Sequence, residues 1–163
     1  MKVRKATLGD ESNLSSFLKE AWKEAGPGAP GFTGATNEAI EEIASIDYLK
    51  RLLTDPKTRI FVAEDGNKFI GFASNKESDK DFIELSGIIV LESKTGEGVG
   101  TQLLEIARSS AALLGYRKMI VKTEFFNDRA IRFYKRMGFT EMGRTTENID
   151  GTPVELVRLS LAT

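Results

Sequence analysis

The chain predicts a mixed α/β (α+β) fold: a mostly antiparallel central sheet of about seven strands holding one parallel pair, flanked by about four helices. Three observations lead there. Strand, glycine-rich turn, helix and strand follow one another between Phe82 and Val121. A unit of that spacing closes through a right-handed crossover into a parallel pair. Asp65-Gly66-Asn67 and Asp150-Gly151 each separate two runs of strand character, the signature of antiparallel hairpins. Four segments carry apolar residues at helical spacing.

The elements can be justified in order. Val3 to Leu8 reads as an edge strand. Asp10-Glu11-Ser12 opens a helix whose Leu14, Phe17, Leu18, Ala21 and Trp22 share one face. Gly26 to Gly34 is rich in breakers, which suits either a flexible connection or a wall of a binding site. A second helix is expected from Glu38 to Leu53, stopped by Asp55-Pro56. Arg59 to Glu64 and Lys68 to Lys76 form the first hairpin. Phe82 to Leu91 is the next strand, and its Ser86-Gly87 interrupts an apolar run, the mark of a bulge or of a close backbone approach. The helix from Val99 to Leu114 is amphipathic through Leu103, Ile106, Ala107, Ala111 and Leu114, and Gly115 ends it. Met119-Ile120-Val121 shows no alternation, as expected of a strand covered on both faces. A short helix from Asp128 to Met137 stops at Gly138, and Phe139 to Asn148 with Val154 to Leu161 makes a terminal hairpin.

Composition narrows the chemistry. At 163 residues with no repeat or linker, the chain reads as one domain, residues 1–163. The net charge of −1 gives no basic footprint for nucleic acid. No apolar run approaches the ~20 residues of a membrane helix, and the charged start Met1 to Lys5 lacks the apolar core of a signal peptide. No membrane association and a cytoplasmic location are therefore expected. Cys 0 and His 0 remove disulfides, thiol nucleophiles, imidazole bases and Cys/His zinc sites. An acid or base must then be Asp, Glu, Tyr, Lys or a terminus. A metal would need oxygen ligands, and the sequence has no clustered carboxylate motif for one.

The segment Ile88 to Leu104 concentrates the functional signal. A buried strand runs into Lys94-Thr95-Gly96-Glu97-Gly98-Val99-Gly100-Thr101, and a helix begins among the glycines. Glycines allow close backbone approach, and a new helix presents unpaired N–H groups, the physics of a phosphate cradle. An ordinary strand-to-helix turn has the same outline. GxxxxGK[ST] is absent, and GxGxxG fails because its third glycine falls on Thr101 or Leu103. Nucleoside triphosphates and nicotinamide cofactors are thereby demoted.

A second motif follows the strand Met119–Thr123. Asn127 to Phe139 reads N-x-x-A-x-x-F-Y-x-x-x-G-F. With Gly98-Val99-Gly100 and Leu103-Leu104, it resembles the GNAT superfamily of acyl-CoA-dependent N-acetyltransferases, and the element order matches over nearly the whole chain. The resemblance implies acetyl-CoA as cofactor and a strand splayed from its neighbour at the parallel pair. Ile88, Ile89 and Val90 would pair with the pantetheine arm, with Gly87 near the splay. The pyrophosphate would lie on backbone N–H groups from Gly96, Glu97, Gly98, Val99 and Gly100 to Thr101. Asn127 would hydrogen-bond the pantetheine arm, and Tyr134 would face the thioester sulfur. One position departs from the family pattern: Thr95 stands where the family has Gln or Arg, and the neighbouring Lys94 offers a replacement cation.

Direct attack of an amine on the thioester is the implied chemistry, because no thiol is present to form an acyl-enzyme. An alkylamine titrates near 10.4 and is mostly protonated at neutral pH, so a base assists. Glu84, flanked by Phe82, Ile83 and Leu85, is the candidate base; a salt-bridged strand carboxylate is the alternative. Tyr134 is the candidate acid, or else a core aromatic. Proton transfer from a phenol near 10 to a thiolate near 8.5 is uphill by about 2 kcal/mol, which a preformed hydrogen bond can offset. A backbone N–H near Ile88 or Ile89 is the expected oxyanion donor. Trp22, Phe32, Tyr48 and Phe125 are candidates for acceptor contacts, though each also fits a packed core. The expected acceptor is a small-molecule amine, with a protein N-terminus or lysine as the second reading. A non-catalytic acyl-CoA sensor is the reading from another class. A homodimer is compatible with the family.

Overall fold

The strands are Lys2–Lys5 (β1), Thr58–Asp65 (β2), Lys68–Lys76 (β3), Ile83–Val90 (β4), Lys118–Glu124 (β5), Thr140–Ile149 (β6) and Thr152–Ala162 (β7). The helices are Glu11–Ala25 (α1), Asn37–Ile43 (α2), Ile46–Thr54 (α3), Val99–Leu113 (α4) and Asp128–Arg136 (α5). A computed structural model describes residues 1–26, 36–149 and 151–163. In it the seven strands form one sheet in the order β1-β2-β3-β4-β5-β7-β6. Only the β4–β5 pair is parallel among these neighbours. The mixed sheet and its single parallel pair follow the sequence expectation.

The segment expected as one helix over 38–53 is two helices, so among the described residues five helices flank the sheet rather than four. Ser45 is the reason. It adopts extended backbone, and its Oγ accepts the Tyr48 N–H at 3.2 Å, opening a new helix inside the apolar period. Thr36 caps α2 in the same way, accepting the Ala39 N–H at 3.0 Å. β1 is shorter than expected because residues 7–10 form the turn into α1, with the Asp10 N–H donating to the Thr7 carbonyl.

The central strands β2 and β3 are buried almost continuously, so both faces of the sheet are covered. α4 covers the face of β3 that carries Gly71 and Asn75. A Cβ on Gly71 would come within 2.8 Å of both Leu103 Cδ1 and Val99 Cγ1, so only glycine allows α4 to lie this close to β3. Deeper in the same contact, the fully buried Asn75 donates from Nδ2 to the Ala107 carbonyl of α4 at 2.9 Å. Leu103, Leu104, Ala107 and Ala111 are fully buried there.

A charged staple joins β1, β2 and the start of α1. Arg4 forks onto both oxygens of Asp10 at 2.9 Å and reaches Glu64 at 2.6 Å, while Asp10 also accepts the Thr7 N–H at 2.8 Å. The Arg4 hydrogen bond, helped by the Thr7 N–H and opposed by burial, holds the Asp10 carboxyl below the usual carboxylate range. A depressed pKa contributes stability above the unfolded value near 3.9 and loses it as pH falls through the folded value. Asp10→Asn should therefore lower unfolding free energy at pH 7 by about 1–2 kcal/mol. In urea titrations across pH, the gap to wild type should narrow as pH falls below about 4. A gap that does not change with pH would assign the staple a purely steric role.

Candidate active site

The site begins where β4 parts from β5. Their pairing spans only Ile83–Leu85 against Met119–Val121. A bulge falls at the same place. Ser74 of β3 sits opposite Gly87 and Asn75 opposite Leu85, leaving Ser86 unmatched. A bulge bends its strand and adds twist, so β4 turns away as the parallel pairing ends. From there to Val90 the β4 edge that faced β5 carries no ladder. Gly87 thus marks the bulge that its position in the sequence suggests.

Chain leaving β4 passes through Leu91 and a 3₁₀ turn at Glu92–Lys94 before entering α4. Gly98 is the residue before the helix and holds φ at +81°, a left-handed conformation that side chains resist. The first backbone bond of α4 runs from the Gln102 N–H to the Gly98 carbonyl at 3.1 Å. The N–H groups of Val99, Gly100 and Thr101 therefore have no acceptor within the helix, and no side chain caps them. They are three aligned donors at the positive end of a fifteen-residue helix.

A cleft of about 720 Å³ opens along these donors, within the size range of small-molecule sites. Ile88 and Val90 form its strand wall. Lys94, Thr95, Gly96, Gly98, Val99, Gly100 and Thr101 form the loop and helix end, and Asn127 and Tyr134 come from α5. Strand alternation explains why Ile89 is not among them. Residues opposite one another in an antiparallel ladder share a face: Val90 pairs with Gly71 and Ile88 with Ala73, on the α4 side, whereas Ile89 pairs with Phe72 on the other. Glu97 is exposed and its side chain also lies outside the cleft.

Asn127 caps α5, its Oδ1 accepting the Ala130 N–H at 3.2 Å. The cap uses the carbonyl and leaves the amide NH₂ available to donate into the cleft. Tyr134 is buried, its ring edge-on to Phe133 and Phe139 at 5.4 and 5.2 Å. Burial, and secondarily the charge of Glu124, raises its phenol pKa well above the ordinary value, so the hydroxyl stays protonated across the neutral range. Thr95 is tied into its own turn, with Oγ1 donating to the Leu91 carbonyl at 3.4 Å. Lys94 lines the cleft but pairs with Asp65 at 3.3 Å.

Glu84 lies across the sheet from this cleft. It pairs with Lys76, on the face opposite α4. Rather than being enclosed by its apolar neighbours, its side chain is 28% exposed and stands 3.8 Å from the Lys122 ammonium. Lys122 in turn binds Glu147 at 2.6 Å. None of Trp22, Tyr48 and Phe125 lines the cleft. The Trp22 indole N–H donates to Asn37 at 3.2 Å. Tyr48 is stacked under Arg51, and exposed Phe125 meets Phe126 edge-on with Arg144 over its ring. Phe32 and residues 27–34 of the loop, read as a flexible connection or a wall of the site, lie outside the described residues.

Several cleft residues were missed from sequence. Arg129, Arg132, Phe133 and Arg136 line it from one face of α5, and their i, i+3, i+4, i+7 spacing was the available signal. Glu24 and Glu92 also line it, joined by a Glu92 N–H to Glu24 bond of 2.7 Å. No pattern in the sequence relates the end of α1 to the 3₁₀ turn, 68 residues away.

A splayed parallel pair thus leads directly to an uncapped helix N-terminus. The sequence matches the model of the acetyltransferase (GNAT) family over residues 18–139. The chain belongs to that family. Its relatives include an uncharacterized N-acetyltransferase of Mycobacterium bovis, 31% identical over 94 residues, where the match spans 58% of this chain and 60% of the relative. An uncharacterized N-acetyltransferase of Bacillus subtilis is 28% identical over 146 residues, 86% of this chain and 91% of the relative. Among solved structures, the PaiA N-acetyltransferase of Thermoplasma acidophilum in complex with coenzyme A superposes with a TM-score of 0.70, covering 96% of each chain at 21% identity. At that identity the likeness shows the fold alone. Among the described residues, no helix is long and apolar enough to cross a membrane.

Proposed function

We propose that the protein is an N-acetyltransferase that moves an acetyl group from acetyl-CoA to a primary amine, a small molecule, by direct attack in a ternary complex. The observation that carries this reading is the alignment of the free β4 edge, the orphan N–H groups of Val99, Gly100 and Thr101, and Tyr134 along one cleft. The three donors suit a pyrophosphate. The β4 edge from Ser86 to Val90 suits an extended arm carrying amides, and the Asn127 amide offers that arm a further donor. Bound acetyl-CoA supplies a thioester carbonyl as electrophile.

The chain's own groups then divide the work between the two faces of the sheet. Tyr134 keeps a proton on the cleft side, where a sulfur departs. Its raised pKa makes full transfer costly and favours a strong hydrogen bond to the leaving thiolate. Glu84 sits on the opposite face, beside the gap between β4 and β5. From there it takes a proton from an ammonium arriving through that gap, directly or through water. Glu147 and the buried Glu124 share that face with it, against Lys122 and Arg158.

Calorimetry with CoA, acetyl-CoA, NAD and ATP tests the ligand assignment. CoA and acetyl-CoA should bind and the other two should not; binding of ATP without CoA would refute the reading. Coupled CoA-release assays over amines and peptides then separate a small-molecule acceptor from a protein one, and an enzyme from a sensor. Tyr134→Phe should lower kcat by about 10²-fold while leaving the Kd for acetyl-CoA within about twofold. Unchanged turnover would remove Tyr134 from the chemistry. Glu84→Gln should lower kcat/KM about 10²-fold at pH 7, with the deficit shrinking toward pH ~10 as the amine deprotonates unaided. Parallel pH profiles for variant and wild type would exclude Glu84 as the base.

A further inference from the structure

We propose that Arg132 and Arg136 form a second anion subsite in the cleft, one that takes the 3′-phosphate of coenzyme A and makes the enzyme discriminate CoA from its dephosphorylated form. This rests on the CoA reading above. α5 carries four cations, Arg129, Arg132, Lys135 and Arg136. Two have carboxylate partners: Arg129 binds Glu92 at 3.0 Å and Lys135 binds Glu141 at 3.5 Å. Lys94 on the facing loop is likewise paired with Asp65. Arg132 and Arg136 line the cleft and have no carboxylate partner among the described residues.

Their spacing sharpens the contrast. At i and i+4 they stand on the same helix face, where like charges destabilise a helix. Their place near the helix C-terminus offsets part of this. An anion between them removes the repulsion and supplies the missing partner. The subsite also adjoins the helix-end donors. Phe133, next to Arg132, lies against the first turn of α4, where a Cβ on Gly100 would sit 3.5 Å from the ring.

Charge selects the ligand group. The N–H donors at the end of α4 present the equivalent of about half a positive charge, suited to a pyrophosphate that is spread along them. A phosphate monoester adds a further charge of about −1.5 to −2. Guanidinium forks match its oxygens in pairs. CoA carries such a monoester on the ribose beside its pyrophosphate, and 3′-dephospho-CoA differs only in lacking it.

Calorimetric titration of the wild-type protein and the R132Q/R136Q variant with CoA and with 3′-dephospho-CoA tests the subsite. Wild type should bind CoA about tenfold or more tightly than 3′-dephospho-CoA, a gap that one charge-assisted pair can produce. The variant should lose about that factor for CoA and keep its affinity for 3′-dephospho-CoA. Equal wild-type affinities, a result needing no variant, would overturn the subsite while leaving the CoA reading intact. An equal loss for both ligands in the variant would overturn it as well. Failure of wild type to bind either ligand would refute the CoA reading itself, and the subsite with it.

Discussion

The structure depends on one local event, the departure of β4 from β5 after three paired residues. A parallel pair normally continues because each broken ladder bond leaves a polar group to be satisfied. Here the bulge at Ser86 redirects β4, and Asn75, paired with Leu85 at the bulge, fastens the same corner to the middle of α4 through Ala107. The hydrogen bond and the bulge together let the strands diverge without loosening the core, since Leu85, Leu103, Leu104 and Ala107 remain almost fully buried around them. The opened edge is then a stretch of backbone in need of a partner, at the mouth of the cleft.

The two helix ends that meet there are treated differently. α5 satisfies one of its orphan donors internally, through Asn127. α4 has no side-chain cap; Gly98 occupies the capping position and contributes only its backbone. Glycine there forgoes only about a few tenths of a kcal/mol relative to a capping side chain. α4 recovers its hold elsewhere, by lying so close to β3 that Gly71 cannot carry a Cβ. Tight packing along the body of the helix is what permits its first turn to remain open to a ligand.

The sheet also sorts side chains between its two faces. The arginines of α5 line the cleft, whereas Glu84, Glu124 and Glu147 stand on the opposite face among Lys76, Lys122 and Arg158. The separation follows from strand alternation: Ile88 and Val90 point to one side, Glu84 and Ile89 to the other. The two faces meet at the gap between β4 and β5. On the proposed reading, that arrangement brings donor and acceptor together without either having to displace the other.

Much of this was legible in the sequence, for a physical reason. Hairpin turns, apolar periods and glycine stops are local signals, and they determined the strands, the single parallel pair, the position of the bulge at Ser86-Gly87 and the helix that starts at Val99. A local signal was also overridden locally: Ser45, a capping residue inside an apolar period, divided the expected 38–53 helix in two. The site residues divide along the same line. Backbone donors at Val99–Thr101 and the cap at Asn127 depend on neighbours within a few positions, and the sequence was sufficient for them. Which face Glu84 and Ile89 occupy depends on register across the bulge, and the partnering of Arg129 and Lys94 depends on residues 37 and 29 positions away. Those were decided only by tertiary structure, because side-chain direction and charge pairing are set by the strands and helices packed alongside.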